Sequence, residues 1–313
     1  MFGKKSVILH DFIKKERKST RKMKGKRVFW TLMGCLLIVA CLHHNHDSKE
    51  SFDVQQDDPD EEQADSFLYE ADTLLLDEAY KDAPLPDSVD QVFDDFLFLF
   101  DNSNRVQRRR IQFPLPVEEL NGKHYEIQQS EWSYRSMTLG QDFCTVLWNS
   151  RPQMALANDT ALLKARVEHI YLHSRVVEAF EFKRDSKTSP WMLAAKRAVS
   201  FDDYPLHEFL DFYRTFATDS TCQRRHVQNP LLFTISSEDS EEDVVRGTID
   251  VDQWFEFAPE IPQAVLVNIN YGQLYTNPNR VVLQMRGFRD SMQNLFVFQR
   301  DALGRWRLTE FDN

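Results

Sequence analysis

Residues 93–115 read FDDFLFLFDNSNRVQRRRIQFPL, and residues 209–231 read FLDFYRTFATDSTCQRRHVQNPL. The two stretches align without a gap at a constant offset of 116 residues, so the chain carries one pattern twice. Ten of the 23 aligned positions are identical, namely Phe93/Phe209, Asp95/Asp211, Phe96/Phe212, Phe100/Phe216, Gln107/Gln223, Arg108/Arg224, Arg109/Arg225, Gln112/Gln228, Pro114/Pro230 and Leu115/Leu231. This density of identities predicts that the two halves of the chain share one fold.

A second pair of matching segments closes each half. Residues 180–185 read FEFKRD and residues 296–301 read FVFQRD, at the same offset of 116. Because one pair of segments opens each half and the other closes it, the sequence predicts two complete domains, 86–200 and 201–313.

Hydrophobic spacing predicts the elements of each half. The opening segments place apolar residues three and four apart, which is typical of an amphipathic helix. The later parts, such as 265–271 and 281–285, are rich in residues that favour strands. Two strand-like runs around a polar turn end each half and predict a hairpin. Each half is therefore predicted to be α+β, with helices packed on a curved antiparallel sheet.

This order of elements resembles the cone-shaped, cystatin-like α+β fold of the nuclear-transport-factor-two-like (NTF2-like) and SnoaL-like proteins. The repeated QRRxxQxPL segments resemble those of a family of envelope lipoproteins from Bacteroides-type bacteria that share a domain of unknown function. The resemblance covers residues 86–313 and implies two tandem cones. It carries over no catalytic residue, because none is established for that family.

The formal charge of -11 is a sum of opposing regions. Residues 1–27 carry +9, residues 28–46 hold no Asp, Glu, Lys or Arg, and residues 47–82 carry -12, which leaves -8 for 83–313. An acidic body argues against a nucleic-acid partner, which normally binds basic proteins. The acidic region 47–82 is expected to be a disordered tether, since its first part has almost no apolar residues.

The apolar run Val28–Leu42 is short for a membrane-spanning helix and follows a basic segment, as in a secretory signal peptide. Its end, IVAC at 38–41, resembles the bacterial lipobox, which implies cleavage before Cys41 and lipid attachment to Cys41. The expected segments are a signal peptide 1–40, with Met23 as a candidate start, and a lipidated tether 41–85. The alternative is an uncleaved anchor helix. Either reading makes the lipid bilayer a partner, and the first places the protein in the bacterial cell envelope, in the periplasm or at the outer membrane.

Standard catalytic motifs such as GxSxG, HExxH and glycine-rich phosphate loops are absent from the sequence. The repeated arginines are candidates for an anion site or for a scaffold role, in which they either pair with Asp95 and Asp211 or cap helix carbonyls; they are Arg108, Arg109, Arg224 and Arg225. Four aromatic residues are candidates for a cone pocket, namely Trp132, Tyr134, Tyr271 and Tyr275. His169 and His173, four residues apart, are expected to share one strand face. No metal or cofactor site is predicted.

These features favour a non-enzymatic envelope lipoprotein that binds a small ligand or an envelope protein through a cone cavity or an interdomain groove. Two alternatives stay open at this point. One is an enzyme of the isomerase, dehydratase or hydrolase kind in one cone, and the other is a structural protein that assembles through its sheets.

Overall fold

The computed structural model describes residues 87–237, 240–288 and 292–313. The predicted signal peptide 1–40, the lipid site Cys41 and the tether 41–85 lie outside these residues. Among the described residues, none of the helices has the length and apolar composition of a membrane span.

The first half opens with the helix that the sequence predicts, followed by a second short helix, and continues into six strands. Its helices are α1 (Phe93–Asp101) and α2 (Asn104–Arg109), and its strands are β1 (Leu115–Glu118), β2 (His124–Ile127), β3 (Phe143–Trp148), β4 (Lys164–Tyr171), β5 (Val176–Lys183) and β6 (Met192–Ser200). Single 3-10 segments lie at Asp87–Asp90 and Arg151–Asn158.

The second half follows a short 3-10 turn, Phe201–Asp203, and also has six strands after two helices, with one further helix between its second and third strands. Its elements are α3 (His207–Thr218), α4 (Ser220–His226), β7 (Val227–Ser237), β8 (Ser240–Ile249), α5 (Val251–Phe257), β9 (Val265–Asn270), β10 (Arg280–Gly287), β11 (Gln293–Arg300) and β12 (Trp306–Asp312). The terminal hairpins predicted in both halves are present as β5–β6 and β11–β12.

The strands of both halves form one sheet, in the order β2-β1-β6-β5-β4-β9-β3-β10-β11-β12-β7-β8. The prediction of two self-contained domains is therefore wrong. Strand β3 of the first half pairs with β10 of the second half, and β9 of the second half pairs with β4 of the first. The third strand of each half therefore lies next to strands of the other half, so neither half forms a complete sheet by itself.

The two exchanged strands run parallel at the centre of the sheet and share a single register pair, Thr145 with Asn268. Side chains supply the hydrogen bonds that the ladder lacks there. The Leu147 N–H donates to Asn268 Oδ1 at 2.9 Å, and the Leu147 carbonyl accepts from Gln273 Nε2 at 2.9 Å and from the Tyr275 hydroxyl at 3.1 Å. Both backbone groups of this buried residue are thus satisfied.

The helices of the two halves cover opposite faces of this sheet. Alternate residues of β11 show the division, since successive side chains of a strand point to opposite faces. Leu295 and Val297 belong to the core that contains Phe93 of α1. Phe298, the residue after Val297, points to the opposite face and packs against Phe209 of α3, with ring centroids 5.2 Å apart. The centre of the sheet is therefore buried on both sides.

The FxFxRD segments have a structural role that the sequence alone did not reveal. Arg184 is buried and donates to the carbonyls of Leu162, Thr160, Asp90 and Lys187. Its guanidinium also lies 4.6 Å from the ring centre of Trp191. In the second half the guanidinium of Arg300 lies 5.0 Å from the ring centre of Trp306. The motif places a cation on the closing tryptophan of each half.

We expect the Asn268→Leu substitution to lower the free energy of unfolding by about 3 kcal/mol, because it leaves the buried Leu147 N–H without a partner and removes one donor from the buried Glu168 carboxylate. Glu168 accepts from Asn268 Nδ2 at 2.7 Å and keeps its bond from the Tyr204 hydroxyl. Urea denaturation would measure the loss. The exposed Asn279→Leu serves as the control and should change stability by less than about 0.5 kcal/mol. A loss for Asn268→Leu no larger than the control would contradict the role of this side chain at the sheet centre.

Candidate functional site

A groove of about 560 Å³ opens between the β1–β2 hairpin and the strands β5 and β6. Its lining residues are Val117, Glu118, Glu119, Leu120, Asn121 and Tyr125 of the hairpin and Val176, Glu178, Lys196 and Ala198 of the two strands. The volume lies in the range of small-molecule sites.

The hairpin turn holds one wall of the groove in place through its own hydrogen bonds. The Glu119 N–H donates to the Lys123 carbonyl, and the Gly122 N–H donates to the Glu119 carbonyl, both at 2.9 Å. Gly122 has a φ of 78°, a conformation that glycine adopts without strain. The Lys123 N–H also donates to Asn121 Oδ1 at 2.9 Å. This local network fixes the turn that carries Leu120 and Asn121 into the groove.

An ion-pair network borders the groove, and two of its members, Lys196 and Glu178, line it. Lys196 Nζ lies 2.8 Å from Glu178 Oε1, and Arg135 Nη1 lies 3.9 Å from Glu178 Oε2. Both cations also lie close to the ring of buried Phe180, at 5.6 Å for Lys196 and 5.8 Å for Arg135. One cation and one carboxylate therefore line the groove, and a second cation and an aromatic ring, those of Arg135 and Phe180, lie beside them.

His169 lies beside this network, on the same side of the sheet as Glu178, its register partner. The imidazole is buried, and Nε2 bonds to the Met137 carbonyl at 2.8 Å, while Nδ1 has no partner among the described residues. Burial lowers the pKa of His169 below 6.5, which keeps the ring neutral at pH 7. Burial also raises the pKa of Tyr171, with a further rise from the charge of Glu178.

The predicted pairing of His169 with His173 on one strand face is wrong. β4 ends at Tyr171, so His173 lies in the exposed turn beyond it. In the described ranges, no three His, Cys, Asp or Glu side chains come together as metal ligands would.

The repeated arginines lie at the surface. Arg108 Nη2 donates to the Trp132 carbonyl at 3.0 Å, which joins two of the sequence candidates, and the Arg109 side chain is exposed. Arg224 pairs with Asp252, and its guanidinium lies 4.9 Å from the ring centre of Phe255.

The expected pairing of Arg224 with Asp211 is wrong, since Asp211 pairs with Arg175. The side chain of Arg225 is exposed, and its backbone carbonyl accepts from Arg307. In the first half, the arginine that binds a carboxylate is Arg110, which directly follows α2. Its guanidinium donates two hydrogen bonds to the Asp90 carboxylate, both at 2.9 Å.

The four aromatic candidates lie away from the groove lining and make internal contacts. Trp132 Nε1 donates to Gln107 Oε1 at 3.3 Å, and the Tyr134 hydroxyl donates to the Asp101 carbonyl. The Tyr271 hydroxyl donates to Asp94 Oδ1 at 2.6 Å and accepts from Arg286 at 2.7 Å. Tyr275 binds the Leu147 carbonyl at the centre of the sheet. A ligand role for these four residues stays a prediction.

Two sequence signals for the groove were missed. In β5, residues 176, 178, 180 and 182 share one face, and this face holds two buried phenylalanines and one carboxylate, Glu178. A charged residue in register with core phenylalanines indicates a place where the core opens to solvent. Lys196 on β6, the register partner of Phe180, gives the same signal.

Comparisons with known proteins place the body of the chain in a structural context. A family model described as "Domain of unknown function (DUF4348)" matches residues 72–313. A crystal structure described as an NTF2-like protein from Bacteroides fragilis NCTC 9343 is 33% identical, with a TM-score of 0.66; the match covers 73% of this chain and 98% of that chain. No curated protein matches the chain.

We expect His169 to make the protein less stable in acid. Because its folded pKa is lowered, the unfolded chain binds a proton first as the pH falls. The stabilisation is complete above about pH 6.5 and is lost below it, with a slope of at most about 1.4 kcal/mol per pH unit. His169→Gln keeps a donor for the Met137 carbonyl and should show a flatter decline between pH 6.5 and 5 in urea denaturation.

The charged groups that face His169 are Glu178 of β5, Lys196 of β6 and Arg135 of the preceding loop, and all three stay in the variant. Exposed His173→Gln is the matched control and should follow the wild-type curve. Parallel curves for wild type and His169→Gln would overturn the expectation.

Proposed function

The chain belongs to the family defined by the domain of unknown function DUF4348, and from this starting point we propose that it is a lipid-anchored binding protein of the bacterial cell envelope. Its ligand occupies the groove under the β1–β2 hairpin. The observation that carries this proposal is the groove itself, an open space of about 560 Å³ lined in part by the Lys196–Glu178 ion pair.

The packing under α1 supports a site at the groove and not beneath the helix. Phe93 and Phe96 of α1 meet Phe182 and Trp191 of the sheet with ring centroids 5.1 to 6.5 Å apart. Rings at these separations are in direct contact and fill the space between them. A ligand has room where this aromatic layer ends, and Phe180, beneath Glu178 and Lys196, lies at that end.

The architecture of the body supports a finer proposal. We infer that it is a fused pair of NTF2-like cones that have exchanged their third strands, β3 and β9. One support is the repeated order of two helices and six strands. The other is the symmetry of the sheet: β1 to β6 occupy, counted from one edge, the same places that β7 to β12 occupy counted from the other edge. The similarity to an NTF2-like structure agrees with this origin.

The anchor rests on the sequence alone. A basic segment, an apolar run of 15 residues and IVAC at 38–41 fit a lipoprotein signal, and the acidic tether then separates the lipid from the body. A mature chain that begins at Cys41 carries about -20 and is repelled by anionic lipid headgroups, so the lipid has to hold it at the membrane.

We expect Cys41→Ser to release the protein from the membrane. Without the thiol there is no acceptor for the lipid, and the chain should move from the membrane pellet to the soluble fraction in its bacterial host. Cys35→Ser, which changes a thiol six residues earlier in the same apolar run, is the control and should stay in the pellet. Retention of Cys41→Ser in the pellet would show that the apolar run itself is the anchor.

Binding at the groove is tested by blocking it. Ala198 lines the groove, so Ala198→Trp should fill it, whereas Ala195 lies on the opposite face of the same strand. Wild type and both variants are screened by saturation-transfer NMR against free amino acids, dipeptides, monosaccharides and short fatty acids. At least one class should give a signal with wild type and Ala195→Trp that Ala198→Trp reduces about tenfold or more. No signal in any class, or an equal signal with Ala198→Trp, would refute the proposed site.

A further inference from the structure

Residues 132–141, here called the strap, lie between β2 and β3 and contain neither helix nor strand. The strap contributes two buried side chains, Trp132 and Met137, to the core under α1. Leu139 and Gly140 near its end both have positive φ, at 56° and 73°. A leucine rarely adopts this conformation, and the Leu139 side chain is exposed, so contacts elsewhere hold the strap in its shape.

Side chains of α1 and α2 bind the backbone of the strap. Asp101, the last residue of α1, accepts from the N–H groups of Met137 and Thr138. Gln107 of α2 binds both backbone groups of Arg135: its Nε2 donates to the carbonyl at 2.8 Å, and its Oε1 accepts from the N–H at 3.2 Å. These contacts are separate from the hydrogen bonds of the sheet, so the strap can open while the sheet stays folded.

A further contact reaches the strap from the sheet. Nε2 of buried His169 on β4 lies 2.8 Å from the Met137 carbonyl. Because a carbonyl can only accept, Nε2 of the neutral ring carries the proton and Nδ1 does not. Nδ1 has no partner among the described residues. A second proton would therefore lie on Nδ1, inside the protein and without an acceptor.

The charges that face this imidazole do not offset a second proton. Glu178 of β5 attracts it, but Lys196 of β6 and Arg135 of the strap repel it, and both cations lie close to that same carboxylate. Tyr171 of β4 is a neutral phenol, and the register partner on β9 is the apolar Val267. Burial lowers the pKa of the imidazole, so a proton binds more readily once the ring is exposed to water.

We propose that the strap is an acid-sensitive cover of the first core, which neutral His169 holds closed and its imidazolium form releases. On release, Met137 leaves the core and Arg135 moves away from Glu178 beside the groove. The second half lacks this device: the residue at the offset of 116 is Met285 on β10, and α5 lies between β8 and β9 where the strap lies between β2 and β3. The cover operates whether or not the groove binds a ligand, so it goes beyond the proposed function.

The experiment measures amide hydrogen exchange of the full-length chain in detergent at pH 7.5 and pH 5.5, by mass spectrometry, with each rate corrected for the intrinsic effect of pH. Amides of the strap should exchange several-fold faster at pH 5.5. The gain is at most about tenfold, because opening exposes one imidazole with an ordinary pKa of about 6.5. Residues 258–264, which lead into β9 in the second half, serve as the internal reference and should show no such gain.

Two substitutions assign the acid response to His169. His169→Gln keeps a donor for the Met137 carbonyl but cannot take up a proton, so its strap should exchange at the same corrected rate at both pH values. His169→Met installs the residue found at the matching place in the second half and removes the bond, so its strap should exchange faster than wild type at pH 7.5 and gain nothing in acid. Exposed His173→Gln is the control and should respond as wild type does. Unchanged near-ultraviolet circular dichroism at pH 7.5 verifies the fold of each variant.

The proposal is overturned if the strap of wild type exchanges at equal corrected rates at the two pH values. It is also overturned if His169→Gln shows the same gain in acid as wild type, since another group then controls the opening. An equal gain in residues 258–264 would overturn it as well, because the whole fold and not the strap would be loosening. None of these outcomes bears on the groove, whose test is the screen with Ala198→Trp.

Discussion

The structure depends on how the centre of the sheet is hydrogen-bonded. β3 and β9 lie side by side with one register pair, and a buried backbone without partners costs free energy. The Asn268 side chain satisfies two buried groups, since its oxygen accepts from the Leu147 N–H and its nitrogen donates to the Glu168 carboxylate. Glu168 in turn accepts from Tyr204, which lies in the turn between the two halves. One polar chain therefore connects β3, β9, β4 and the connection between the halves.

The same chain of contacts explains why buried polar residues concentrate at this place. Burial raises the pKa of Glu168, and the Arg166 charge and the donors Tyr204, Asn268 and Asn270 oppose the rise. On the other face, Tyr271 joins Asp94 of α1 to Arg286 of β10. Each exchanged strand is thus tied by hydrogen bonds to a structure that belongs to the other half.

The sequence predicted the elements better than their arrangement. Local spacing identifies the helix at Phe93 and the closing hairpins, because periodicity reports which face of an element is buried. The exchange of β3 and β9 has no local signal, since a strand buried on both faces looks the same beside either neighbour. The motif arginines were correctly located but their partners were not, because ion pairs depend on which strands meet. The groove did have a signal in the sequence, the carboxylate of Glu178 on a strand face that also carries two buried phenylalanines. Judged by periodicity alone, that carboxylate is only an exception to the apolar pattern of the face.

The exchange of strands also sets a rule for how this architecture can change over generations. In a string of independent repeats, one unit can be lost or gained without harm to the others. Here the loss of either half would leave the remaining half with a third strand that has no sheet and a sheet that has no third strand. A change in the number of units would therefore have to rebuild both halves at once, whereas the hairpin beside the groove lies at the sheet edge, away from β3 and β9.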